Sequence, residues 1–261
     1  MSGSVLLIGS GRMGGALARG WIATESVAVF DPMAPAIDGT RKLDTLDDAR
    51  HLPQPLTVVI AVKPQMLDQV LPSLIPLAEQ DALFVSVAAG ATVARYTAIL
   101  GDKARVVRTM PNTPAAIGKG ITALVAGPNV DGAARAYAEM LLKAVGETVW
   151  VETEAQIDAV TAVSGSGPAY FFRFTEALAR AGEREGLPPE LAMKLARATF
   201  SGAGALADSR SDPIADLRVE VTSPGGTTAA ALARFDADDA LDKLVADAAD
   251  ACAKRSRELA G

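Results

Sequence analysis

Val5-Leu6-Leu7-Ile8-Gly9-Ser10-Gly11-Arg12-Met13-Gly14, running on into Gly15-Ala16-Leu17-Ala18-Arg19-Gly20-Trp21-Ile22, decides the fold. Four consecutive apolar residues read as a strand buried on both faces. The glycines behind them keep a G-x-G-x-x-G spacing, and the next eight residues have a helical period. Strand, glycine turn and helix in that order cradle the pyrophosphate of a dinucleotide. One glycine makes the turn, one lets the backbone approach the phosphates, and one lets helix and strand close up. A second strand, Val27-Ala28-Val29-Phe30, ends in Asp31, 22 residues after Gly9, where a carboxylate takes a ribose 2′-hydroxyl. The competing reading of Asp31 is an Asx turn into Pro32.

The alternation continues. Strands are predicted over 56–62, 82–87, 105–108, 121–126 and 148–151. Helices are predicted over 64–77 (interrupted by Pro72 and Pro76), 92–100 and 131–145. The fold class is therefore α/β, with an N-terminal doubly wound, Rossmann-type, mostly parallel sheet. Ligands of such sheets bind beyond the carboxyl ends of the strands. The segments to read are thus Gly9 to Gly14, Lys63-Pro64, Ala88-Ala89-Gly90 and Thr109-Met110-Pro111-Asn112-Thr113-Pro114. In the last, two prolines bracket Asn112 and stiffen a loop that presents one amide side chain. Lys63 reads as a surface lysine at the cofactor rim, with a general acid as the alternative. His51, the only histidine, lies in a proline-rich connection and reads as a solvated loop residue.

After Glu154 the pattern turns all-helical, which divides the chain into 1–154 and 155–261. Helix is predicted over 154–163, broken by Ser164-Gly165-Ser166-Gly167-Pro168, and again over 169–185, 190–207, 213–219, 227–234 and 238–259. Small residues are dense from Ala196 to Ala207, as close helix–helix contact requires. This half is thin for a core of its own, so an intertwined homodimer is expected. It also holds Val221-Thr222-Ser223-Pro224-Gly225-Gly226-Thr227-Thr228, which runs into an alanine-rich helix. A bare, hydroxyl-rich turn at a helix start aims N–H and O–H groups at one spot and seats a carboxylate or phosphate. A plain Ser/Thr cap without a ligand is the alternative.

Composition narrows the classes. The chain has 261 residues, 49% of them apolar, and a net charge of −6, which argues against nucleic acid as a partner. No apolar run reaches the ~18 residues of a membrane span. No signal peptide is visible, and Cys252 has no partner for a disulfide or a metal site. The expectation is a cytoplasmic protein that binds no metal, nucleic acid or membrane.

Ala61-Val62-Lys63-Pro64, Arg108 to Pro114, Ser164-Gly165-Ser166-Gly167-Pro168-Ala169-Tyr170 and Val221 to Thr228 occur in this order behind the fingerprint. The set resembles the pyrroline-5-carboxylate reductase family over essentially the whole chain. That resemblance implies a dinucleotide domain followed by an all-α C-terminal dimerisation domain. It also implies active sites between subunits and assembly often to decamers. The implied reaction is hydride transfer from NADPH or NADH to the C=N carbon of 1-pyrroline-5-carboxylate, giving L-proline. The implied cofactor residues are Ile8, Gly9, Ser10, Gly11, Arg12, Met13, Asp31, Ala61, Val62, Lys63, Pro64, Val87, Ala88 and Ala89. The small-molecule substrate would meet Ser223, Gly225, Gly226, Thr227, Thr228 and Asn112, with Thr228 nearest the ring nitrogen as the catalytic residue. Two asparagines of relatives are replaced: Glu220 stands three positions before Ser223, and Asp47-Asp48 lie where the other is expected. Asp31 would repel a 2′-phosphate, which leaves NADH a candidate beside NADPH.

Other two-domain reductases stay open at this point. A 3-hydroxyacid dehydrogenase places a catalytic lysine six residues after the first glycine of a Gly-x-Gly helix start; counted from Gly165, that position is Phe171. Ketol-acid reductoisomerase needs spaced carboxylates for two metals, and none is evident. A non-catalytic dinucleotide-sensing dimer would leave the 223–228 turn and the Asn112 loop without a purpose.

Overall fold

Successive side chains of Ser4–Ile8 (β1) enter opposite cores. Leu6 and Ile8 pack with Val58, Phe84 and Leu71, whereas Val5 and Leu7 pack with Val59, Leu17 and Trp21. Burial on both faces is why this strand lacks polar alternation. The computed structural model describes residues 3–260. The remaining strands are Ser26–Phe30 (β2), Arg41–Lys42 (β3), Leu56–Ile60 (β4), Leu83–Ser86 (β5), Arg105–Met110 (β6), Gly120–Ala126 (β7) and Gly146–Trp150 (β8). They form one eight-stranded sheet in the order β3-β2-β1-β4-β5-β6-β7-β8. Every pairing is parallel except β6 with β7. The order reverses between β1 and β4, which opens a crevice at their carboxyl ends.

Helices cover both faces, and their ends follow local chemistry. Thr92 caps Val93–Leu100 by accepting from the Arg95 N–H at 3.2 Å, and Asp131 caps Gly132–Lys143 by accepting from Ala134 at 2.7 Å. The buried Trp21 indole donates to the Leu141 carbonyl at 2.7 Å, joining Arg12–Trp21 to Gly132–Lys143. The stretch 64–79 alternates 3-10 and α turns, because Pro72 and Pro76 remove donors that a continuous helix needs. His51 ends a short 3-10 helix, Asp47–His51, and is exposed.

The expected break over 164–168 narrows to a single residue, Ser166. Gln156–Val160 widens into a π-turn over Thr161–Gly165, and Gly167–Arg184 follows with Pro168 in its first turn. Ser164 and Gly165 are thus helical residues, absorbed by one wide turn in which the Ser166 N–H reaches the Thr161 carbonyl at 2.9 Å.

The chain divides into two compact units. One contains the residues up to Ser166 together with those from Cys252 onward, and the other is Gly167–Ala251. In the first unit the end of the long helix Ala240–Ala260 is tied down, Ser256 donating to Asp158 at 2.7 Å. The second unit contains Pro189–Asp208, Ile214–Glu220 and Thr227–Asp236 besides Gly167–Arg184. Its buried side chains are small, among them Thr175, Ala179, Ala192 and Ala196, while Phe171 and Phe172 are 60% and 56% exposed. A unit that leaves its phenylalanines outside and its alanines inside does not complete a core by itself. No strand follows Trp150 among the described residues.

Candidate active site

The carboxyl ends of β1, β4 and β5 are stitched into a stair of loops. The Gly9 N–H donates to the Phe30 carbonyl at 3.0 Å, Ala61 to Ile8 at 2.8 Å, and Val87 to Ile60 at 3.0 Å. This brings Ile8 to Met13, Ala61 to Pro64 and Val87 to Ala89 to one edge of the sheet. Each glycine of the turn meets a different demand. Gly9 has φ +89°, and a Cβ on it would lie 2.9 Å from the Ala61 carbonyl oxygen. A Cβ at Gly14 would run into the Gly9 carbonyl oxygen. Gly11 faces open space, with nothing within 4 Å of such a Cβ. Gly11 is also the N-cap of Arg12–Trp21 and brings no side-chain acceptor, which leaves the first N–H groups of that helix to a ligand. The cradle fits a pyrophosphate.

Asp31 lies at the end of β2. Its Oδ2 accepts from the Ser10 N–H at 2.7 Å and the Ser10 hydroxyl at 3.0 Å, and its Oδ1 accepts from the Met33 N–H at 3.0 Å. Partial burial pushes its carboxyl up, but these donors together hold it below the ordinary value. The group is a carboxylate at neutral pH, tied to the fingerprint turn. Lys63 is exposed and precedes the 3-10 turn Pro64–Met66, consistent with a rim residue.

Asn112 is buried where β6 ends. Its Oδ1 accepts from the Ile121 N–H at 3.0 Å and its Nδ2 donates to the Ser164 carbonyl at 3.2 Å. The amide thus braces three segments: its own loop, the start of β7 and the π-turn. The same region holds a pair that sequence reading missed. Arg108, 3% exposed, meets Glu154 at 2.8 Å, and the same Glu154 oxygen accepts from the Val93 N–H at 2.8 Å. Behind the β5 loop, Gly90 has φ +77°, and a Cβ on it would lie 3.1 Å from Leu259.

In the helical unit, Ser223-Pro224-Gly225-Gly226 forms a tight turn, with the Gly226 N–H donating to the Ser223 carbonyl at 3.0 Å and Gly225 at φ +68°. Proline second and a positive-φ glycine third are the residues a type II turn needs. Gly226 is the N-cap of Thr227–Asp236, and no side chain caps it. The hydroxyl-cap alternative therefore does not describe this helix, whose opening N–H groups are left to an anion or water. The Thr222 hydroxyl donates back to the Arg218 carbonyl at 2.6 Å, fixing the entry to the turn. Glu220 is clamped by Arg210 through bonds of 2.6 and 2.7 Å, and Arg210 also meets Asp212 at 2.9 Å. The guanidinium holds the Glu220 carboxyl below its ordinary range. Position 220 of this chain thus carries a charge that is paired within the helical unit.

A doubly wound sheet with a glycine cradle at its switch point, joined to a helical unit, defines a dinucleotide-dependent oxidoreductase. The family model described as pyrroline-5-carboxylate reductase dimerisation matches residues 154–259, and one described as NADP oxidoreductase, coenzyme F420-dependent, matches residues 4–90. A pyrroline-5-carboxylate reductase of Pseudomonas aeruginosa is 42% identical, over 98% of this chain and 96% of that protein. The solved structure of a pyrroline-5-carboxylate reductase from Coxiella burnetii, 33% identical, superposes with a TM-score of 0.90 over all of both chains. That of the Plasmodium falciparum pyrroline carboxylate reductase with NADP bound is 28% identical, with a TM-score of 0.83 over 99% of this chain and 98% of that one. The chain belongs to the pyrroline-5-carboxylate reductase family.

Proposed function

We propose that this chain reduces 1-pyrroline-5-carboxylate to L-proline with NADPH or NADH, the last step of proline biosynthesis. The observation that carries this reading is the cradle at the β1/β4 switch point, where Gly9 and Gly14 admit no side chain, in a member of this reductase family. Residues 1–154 serve the dinucleotide, and residues 155–261 serve dimerisation and the substrate. With its pyrophosphate in the cradle, the reduced cofactor would supply the hydride from its nicotinamide. Ile8 to Met13, Asp31, Ala61 to Pro64 and Val87 to Ala89 hold it there. The Ser223–Thr228 turn takes the substrate carboxylate on its unclaimed N–H groups. Asn112 keeps the neighbouring loop rigid.

The chemistry asks little acid of the protein. Hydride adds to carbon and a proton ends on nitrogen, so C=N becomes CH–NH. A protonated cyclic imine is already electrophilic at that carbon. Thr228 therefore needs only to orient the nitrogen and its proton, directly or through a held water. The exposed Phe171, Phe172, Phe174 and Leu178 support a homodimer formed through the helical unit; active sites shared between subunits and assembly as far as a decamer belong to the proposal. Steady-state oxidation of each nicotinamide cofactor with 1-pyrroline-5-carboxylate tests the activity. Absence of turnover with both cofactors overturns it. Light scattering tests the assembly, and a monomeric mass rejects it.

A further inference from the structure

Ser86 ends β5 immediately before the Val87–Ala89 loop, and it is completely buried. Ser86 makes three polar contacts in a small space, two of them through its hydroxyl. The hydroxyl accepts from the Ala88 N–H at 3.2 Å and shares a short hydrogen bond with the Tyr96 hydroxyl, and the Ser86 carbonyl accepts from the Thr109 hydroxyl at 2.9 Å. Tyr96 is also completely buried, in the helix Val93–Leu100 that covers this face. Burial pushes its phenol up to about 12, so it stays protonated. Thr109 is buried as well and stands on β6, three residues before Asn112.

These contacts have an uneven logic. A loop N–H two residues beyond a strand end normally finds a water or another backbone carbonyl. Here the Ala88 N–H is held by a side-chain oxygen, and that oxygen is itself held by a phenol that cannot move, because its ring fills the core between Phe84, Leu100 and Val106. The packing of the helix is thereby transmitted to the height of one peptide group on the carboxyl edge of the sheet. Packing alone would be satisfied by phenylalanine at position 96. The hydroxyl matters only through Ser86.

We propose that Tyr96 is a positioning residue for the cofactor: through Ser86 it sets the Ala88 peptide at the level where the loop meets the nicotinamide half of the dinucleotide. This rests on the reading of Val87–Ala89 as cofactor-binding. The effect is confined to that loop, so it alters cofactor affinity and leaves the affinity for the cyclic imine as it is.

A double-mutant cycle on the full-length enzyme tests it. Tyr96→Phe is expected to raise the KM and Kd for the reduced cofactor about 3- to 10-fold, the range of a single net hydrogen bond, with the KM for 1-pyrroline-5-carboxylate unchanged. Ser86→Ala is expected to do at least as much. In the Ser86→Ala background, Tyr96→Phe is expected to have no further effect on cofactor Kd, because the route through the hydroxyl is already cut. Additive effects, equal shifts in both KM values, or an unchanged cofactor Kd in Tyr96→Phe would each overturn the proposal. If Tyr96→Phe does not fold, Ser86→Ala decides alone: a cofactor-specific rise supports the positioning route, and an unchanged Kd rejects it. The underlying reading fails separately, in the wild-type enzyme, if that enzyme neither binds nor oxidises the reduced cofactor.

Discussion

Asp31 and Ser10 are joined twice, by the Ser10 N–H at 2.7 Å and the Ser10 hydroxyl at 3.0 Å, both onto the same carboxylate oxygen. The acidic end of β2 and the fingerprint turn are therefore one rigid piece, carrying a fixed negative charge beside the glycine cradle. A ribose 2′-hydroxyl donates to such a group, and a 2′-phosphate is repelled by it. Removing the charge while keeping a small hydrogen-bonding side chain, as in Asp31→Ser, is expected to shift kcat/KM toward NADPH by about 10-fold relative to NADH. Steady-state kinetics with both cofactors checks this. An unaltered ratio would show that Asp31 does not face the ribose.

The same pair has a pH signature. The folded-state carboxyl of Asp31 sits below its ordinary 3.8. Its contribution to stability is then complete above that ordinary value and lost as pH falls through the lower, folded one. Acid unfolding of Asp31→Asn is expected to show a shallower loss of stability below about pH 4 than the parent, as read by denaturant titration across that range. A parallel pair of curves would contradict the assignment.

Gly14→Ala is expected to be severe. A methyl group there meets the Gly9 carbonyl oxygen and approaches the Ala61 side chain at 3.2 Å, so the turn has to open. Overpacking of about 1–3 kcal/mol placed on the cradle corresponds to a cofactor Kd raised roughly 5- to 150-fold. Gly11→Ala is the internal contrast. It meets no protein atom within 4 Å, so it is expected to spare folding and to weaken only cofactor binding, by intruding where the proposed site would seat the phosphates. Thermal melts and cofactor titration of the two variants separate these outcomes.

Thr228→Ala is expected to lower kcat/KM by roughly 10- to 150-fold, the equivalent of about 1.5–3 kcal/mol for a hydrogen bond to a charged group. An unchanged value removes Thr228 from the chemistry. The opening turn of Thr227–Asp236 would still hold the carboxylate, so part of the loss is expected in kcat.

Glu154→Ala leaves the Arg108 guanidinium, 3% exposed, and the Val93 N–H without their shared acceptor. Breaking a buried pair from one side is costly, but the Glu154 side chain is 32% exposed and water replaces part of it. A loss of about 1–3 kcal/mol is expected by denaturant unfolding, with Glu154→Gln intermediate because it retains an acceptor.

Periodicity carries most of the first unit. The largely apolar runs of β1, β4 and β5 identify doubly buried strands, and Thr92 and Asp131 mark helix starts by their own capping chemistry. Other features depend on contacts that leave no local trace. Arg108 and Glu154 are 46 positions apart, and neither stands in a pattern that announces its partner. β3 consists of Arg41 and Lys42, a short polar edge with no apolar rhythm to detect. Ser164 and Gly165 have the composition of a helix stop, yet the Thr161 carbonyl captures the Ser166 N–H and the turn widens. At the 223–228 turn, Pro224 and Gly225 foretell the backbone path from their torsional limits alone, whereas Glu220's pairing with Arg210 emerges only in three dimensions.

Gly90 leaves no slack between the β5 loop and Leu259. The final helix, pinned through Ser256 and Asp158, thus acts as a doorstop beneath the peptide groups ahead of Gly90. A protease that nibbled this tail would leave the sheet and the glycine turn standing while the floor beside them sagged.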